Sequence, residues 1–282
     1  MSSHSRRIFF LLNIFFFVSI FAVSSSQACR FWAAAAPHVQ KEMVIRQLLE
    51  EPQSLKSLSG SCPDGWSVSY YEKSSPIIFR GSRSSYDDQR YDLAVNDVAE
   101  MNPGVVVAHL QQASSGCGQG AVDPYPLVRL DRGNEWLFIH TGDIDKGKLI
   151  SLIGEGYLQK NPPSLCTGSP PDSWIDSELY FILILKEIDS HKGDVEAGLK
   201  YALAKLRETG EEGRLSFVLT DGHSLWSFRQ DNGFFYTYDK EQGLSVVAST
   251  VPLPGEMQWN DFPENTLAVM YPGQEPRFIP VK

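Results

Sequence analysis

The chain has 282 residues, 42% of them apolar and 12% aromatic, enough for a substantial core and too apolar for disorder. Its net charge is −9 with no basic cluster, which argues against nucleic acid and anionic membrane surfaces as partners. The four cysteines, Cys29, Cys62, Cys117 and Cys166, fit no zinc spacing, and no His- or carboxylate-rich cluster accompanies them, so neither a metal nor a cofactor is expected.

The first element is a leader. Residues 2–7 carry Arg6 and Arg7, Ile8 to Val23 is apolar apart from Asn13 and Ser19, and residues 24–28 end with Ser26 and Ala28 at the small-residue positions of a cleavage site. The apolar run is shorter than the ~20 residues that span a bilayer comfortably. We therefore expect residues 1–28 to be a signal peptide, residues 29–282 to form one exported domain, periplasmic or secreted, and no membrane contact after cleavage. Cleavage after Ala28 gives Cys29 both a thiol and a free α-amine. That amine, with a pKa of roughly 7.7–8, is a base suited to activating the thiol, the chemistry of an N-terminal nucleophile. Two other readings stay open: a lipoprotein acylated on Cys29, although Ser26 stands where a lipid signal wants Leu, and an uncleaved signal anchor.

Cys29 to Ala36 reads as a buried strand. Val39 to Glu50 has helical spacing through Val39, Met43, Val44, Gln47 and Leu48. Alternation predicts a strand over Trp66–Tyr70 after the Asp64-Gly65 turn, and another follows at Ile77–Phe79. A helix is expected over Asp92–Met101, a buried strand over Val105–Leu110, a Gly- and Pro-rich loop over Ser114–Pro126, and a strand over Trp136–His140. After a loop from Pro162 to Pro171, Ser173 or Asp176 is placed to cap a helix running to about Ile188, and a second helix spans Glu196–Glu208. Six short strands close the chain: Leu215–Leu219, Leu225–Arg229, Phe234–Tyr238, Leu244–Ser249, Thr266–Tyr271 and Arg277–Val281. Runs of strands around a central helical block predict an α+β fold of mainly antiparallel sheets. With Cys29 as nucleophile, at most one internal disulfide forms. Cys117 and Cys166 are one candidate pair, and three unpaired thiols are the alternative.

Several short motifs stand in order along this chain. They are Cys29-Arg30, Asp64-Gly65-Trp66, His109-Leu110-Gln111-Gln112-Ala113-Ser114-Ser115-Gly116, Phe138-Ile139-His140-Thr141-Gly142, Ile175-Asp176-Ser177-Glu178 and Val218-Leu219-Thr220-Asp221-Gly222. In this order the chain resembles the class II glutamine amidotransferases of the N-terminal nucleophile hydrolase superfamily, in particular their stand-alone, γ-glutamyl hydrolase-like branch. The resemblance covers residues 29–282 and implies a four-layer αββα sandwich. It implies Cys29 as nucleophile and Gly142, with residue 141, as the oxyanion hole. Substrate contacts would fall to Arg30, Gln111, Ser114 and Asp176, with Asp176 pairing the α-ammonium and Ser114 the α-carboxylate. The chain departs from the family pattern where the family has a carboxylate-clamping Arg (here Gln111), an oxyanion-hole Asn (here Thr141), and a Thr before the Asp (here Ile175); Ser67 also replaces a Gly. Gln111 turns a bidentate ionic contact into a neutral hydrogen bond. The expected activity is hydrolysis of a small glutamine-like or γ-glutamyl amide, with no acceptor domain for ammonia transfer. A catalytically inactive binding protein on the same fold and a lipid-anchored surface protein are the alternatives.

Overall fold

The computed structural model describes residues 30–111, 125–165, 168–211, 213–230, 233–251 and 257–281. Two antiparallel sheets form the centre. Strand β1 (Phe31–Ala35) is followed by helix α1 (Lys41–Ile45), which runs on as a π-turn to Glu50, then β2 (Gly65–Glu72), β3 (Ser75–Gly81), α2 (Gln89–Glu100) and β4 (Val105–Gln111). Next come β5 (Leu127–Asp131), β6 (Asn134–Thr141), α3 (Lys146–Ile153), α4 (Glu155–Lys160), α5 (Asp176–Ser190) and α6 (Val195–Glu208). The remaining strands are β7 (Ser216–Thr220), β8 (Leu225–Arg229), β9 (Phe235–Asp239), β10 (Leu244–Ala248), β11 (Asn260–Asp261), β12 (Thr266–Met270) and β13 (Arg277–Pro280). One sheet has the order β11-β9-β10-β1-β4-β2-β3 and the other β13-β12-β8-β7-β6-β5.

Period-two alternation sorts these strands into layers. In the first sheet Trp32, Ala34, Val68, Val106 and Ala108 face outward onto Val44, Leu48, Val95 and Val98 of the α1 and α2 segments. Phe31, Ala33, Val105 and Val107 face inward and meet Ile139, Val218, Ala268 and Met270 of the second sheet. The outward face of that sheet, with Phe138, Phe217, Leu219 and Phe228, packs on α3, α5 and α6. The result is the expected four-layer αββα order. Helix α5 is apolar nearly all round because it is buried between the sheet and its neighbouring helices.

The predicted strands and helices recur with shifted ends. Helix α2 begins at Gln89, three residues early, because the Asp88 carboxylate accepts the Arg90 N–H at 3.1 Å and caps the first turn. Helix α5 corrects its expected caps. Ile175 holds the cap position without a side-chain bond, Ser173 lies in a preceding 3-10 turn, and the Asp176 carboxylate turns away to the Ile144 N–H. Strand β5 and helices α3 and α4 stand where the spacing predicts nothing. Arg132 and Gly133 both adopt positive φ in the tight β5–β6 turn, the geometry a two-residue hairpin requires, and Asp145 caps α3 through the Lys148 N–H. Cys29, Ser114, Cys117, Cys166 and the leader lie outside the described residues. Among the described residues no helix is long and apolar enough to cross a membrane.

Candidate functional site

The expected site residues come from elements of both sheets, and inter-layer contacts align their ends. Arg30 precedes β1, and its carbonyl accepts the Leu110 N–H at 2.7 Å, so the start of β1 lies beside the end of β4. Phe31 packs edge-on against Phe234, which packs against Phe262, and the Phe262 carbonyl accepts from Arg229 of the second sheet. Gln230 exchanges two 2.8 Å bonds with the Ser216 hydroxyl, and the Ser216 carbonyl accepts from Thr141 Oγ1 at 3.4 Å. The start of β1, the ends of β4 and β6 and the start of β7 therefore share one end of the sandwich. At the opposite end Tyr71 reaches across the layers to the carbonyls of Glu135 and Thr220.

Beyond Thr141 the chain makes an unusually close approach. A Cβ on Gly142 would sit 2.0 Å from the Arg214 carbonyl oxygen, so only glycine fits. The same carbonyl accepts the His140 ring at 2.8 Å, while the other ring nitrogen meets the Ser177 hydroxyl at 2.8 Å. A carbonyl only accepts, so Nε2 carries the proton and Nδ1 takes the hydroxyl's. Burial keeps this imidazole neutral by lowering its pKa.

The Asp176-Ser177-Glu178 run organises the site end of α5. Asp176 Oδ2 accepts the Ile144 N–H at 2.9 Å and holds the turn after Gly142. Ser177 orients His140. Glu178, 2% exposed, takes Arg129 Nη1 at 3.1 Å, the Ser164 N–H and hydroxyl at 2.6 Å each, and the Leu165 N–H at 3.1 Å. Arg129 is thereby committed and is no substitute carboxylate clamp for Gln111. Arg30 has its Nε buried without a hydrogen-bond partner among the described residues.

On the inner face of the first sheet Ser67, His109 and Gln111 are buried, and Ser67 Oγ, His109 Nε2 and Gln111 Nε2 find no partner among the described residues. His109 packs against the Tyr125 ring at 5.1 Å, and burial pushes its pKa down to about 3. Below its ordinary value of ~6.5 the unfolded chain binds a proton that the folded chain refuses. Stability is therefore full above pH ~6.5 and falls by about 1.4 kcal/mol per pH unit on acidification towards pH 3. Denaturant unfolding of wild type and His109→Gln between pH 7 and 4 is expected to give a slope shallower by that amount in the variant. Equal slopes would contradict the assignment.

A model of the class-II glutamine amidotransferases matches residues 52–252, more than half of the chain. The chain belongs to the class-II glutamine amidotransferases. Its sandwich superposes on the glutamine phosphoribosylpyrophosphate amidotransferase from B. subtilis with a TM-score of 0.60 at 13% identity, over 90% of this chain and 49% of that one. An allosteric regulatory enzyme of purine biosynthesis gives 0.61 at 14%, over 90% and 49%. The chain thus spans about half the length of these two enzymes. A class-II domain protein from Silicibacter pomeroyi gives 0.58 at 17%, over 89% and 99%. At such identities the common ground is the N-terminal nucleophile hydrolase fold. Among curated proteins there is no significant match.

Within this class-II amidotransferase fold, Arg30, Gln111, Thr141, Gly142 and Asp176 are gathered by the alignment of strand ends and the Asp176–Ile144 bond. The contacts of His140, Ser177 and Glu178 were not legible in the motifs. His140 closes the apolar run Leu137-Phe138-Ile139, a usable signal of a buried polar side chain, whereas Ser177 and Glu178 follow Asp176 in a polar run that marks only a helix start.

Proposed function

We propose that residues 29–282 act as an exported amidohydrolase with an N-terminal cysteine, cleaving the side-chain amide of a glutamine-like or γ-glutamyl compound. Signal cleavage after Ala28 would free the Cys29 α-amine. That amine takes the thiol proton as Sγ bonds to the amide carbonyl carbon, then returns it to the departing amine or ammonia. Water hydrolyses the thioester to the carboxylic acid and regenerates the thiol. Gly142 supplies a backbone donor to the oxyanion, with Thr141 beside it. Asp176 takes the α-ammonium, and the family resemblance assigns Gln111, Ser114 and Arg30 to the carboxyl side. The one observation that carries this reading is the meeting of the β1 start, the β4 and β6 ends and the turn held by Asp176 at one end of the sandwich.

A second reading, a binding protein without turnover, is favoured by two commitments. Thr141 Oγ1 donates to Ser216, and one Asp176 oxygen is spent on Ile144. Intact mass of the exported protein before and after a glutamine-analogue electrophile separates the two. A chain starting at Cys29 that gains one adduct, lost in Cys29→Ala together with amide hydrolysis, is the expected result. A Cys29 start without adduct or hydrolysis would establish the binding protein, and an acylated Cys29 the lipid-anchored one.

A further inference from the structure

Arg80 is a cation on the edge strand β3, two strands from Gln111, at which the chain lacks the family's clamping Arg. It lies directly opposite Ser67 in the β2–β3 register, Ser67 lies opposite His109, and His109 opposite Phe31. Cross-strand partners share a face, so Arg80 joins the inner row that carries His109, with Gln111 the next inner residue along β4. Two strand spacings of ~4.8 Å separate β3 from β4.

The guanidinium is held from behind. Nε donates to the Tyr125 carbonyl at 3.2 Å and Nη2 to that of Pro126 at 2.8 Å. Among the described residues these bonds leave donors of the fork uncommitted. Among the described residues no carboxylate pairs with Arg80, which is exposed on the edge strand β3, where partial desolvation lowers its pKa. In front of it is a cavity of about 170 Å³ lined by Arg80, Arg129, Ser164, Leu165 and Glu178. Glu178 is saturated by Arg129, Ser164 and Leu165, so two guanidiniums face one committed carboxylate.

We propose that this cavity is an anion subsite in which the uncommitted donors of Arg80 take a carboxylate carried by the ligand. The anion site stands on the charge imbalance, whereas its assignment to a carboxylate rests on the glutamine-like reading of the neighbouring site. Held two strands from Gln111, that carboxylate lies farther along the sheet than a clamp on β4 would place it. The substrate class is then an amide bearing a more distant carboxylate, such as a glutaminyl or γ-glutamyl peptide.

Glutarate, which has carboxylates but no amide to cleave, is the probe. Isothermal titration of the exported protein is expected to show glutarate binding that weakens about 10-fold or more in Arg80→Gln and less in Arg80→Lys, which keeps the charge but not the fork. Unchanged melting temperatures confirm that both variants fold, and added salt weakens binding to wild type more than to Arg80→Gln. Absence of glutarate and inorganic phosphate binding, or equal affinity in wild type and Arg80→Gln, overturns the subsite. Binding of phosphate but not glutarate overturns the carboxylate assignment. Neither result depends on Cys29, so failure of the hydrolase reading remains separately visible.

Discussion

Gly142→Ala is expected to destabilise the protein by about 4 kcal/mol or more, at the extreme of single substitutions. The added Cβ would lie 2.0 Å from the Arg214 carbonyl oxygen and 2.8 Å from its carbonyl carbon. Both are backbone atoms, so no rotamer change relieves the clash. Relief requires separating the end of β6 from the start of β7, which also strips His140 of its Arg214 acceptor. The melting temperature is expected to fall by about 10 °C, since each kcal/mol moves a domain of this size by roughly 2–4 °C. Gly156→Ala is the control: its Cβ meets nothing within 4 Å, and alanine is the better helix former in α4. Similar melting temperatures for the two variants would remove the close approach from the account.

Glu178→Ala is expected to cost about 3–5 kcal/mol, the usual penalty for breaking a buried ion pair from one side. Arg129, 16% exposed, would lose its carboxylate, and the Ser164 and Leu165 N–H groups would lose their acceptor. Glu178→Gln keeps a carbonyl oxygen for one or two of these donors and is expected to fall between wild type and the alanine variant. Guanidinium unfolding of the three proteins measures both differences. A loss below about 1 kcal/mol in Glu178→Ala would mean that water replaces the carboxylate without penalty.

The layers were legible because periodicity reports burial. Val105–Leu110 reads as a buried strand and is one, and the alternating Trp66–Tyr70 segment is the expected strand. Strand β5 was illegible because it is an edge strand: Leu130 is 72% exposed and Arg129 is turned to Glu178, so no clean alternation survives. Around the candidate site the supporting contacts were not legible: the Asp176–Ile144 bond and the saturation of Glu178 depend on partners 32 and 14 residues away. The placement of Arg80 follows only from strand register.

Strand β1 is flanked on both sides, by β4 and by β10, and its first residue is bonded to Ser249, 218 residues later in the chain. Non-local pairing of this kind forms late, because the closure entropy of a long loop must be met before the contact forms. A nascent chain that has not yet made β10 therefore offers its first strand only one flank, that of β4. The strand laid down first is locked last, so the end of the sandwich that holds Arg30 and Gln111 is finished by residues from the far end of the fold.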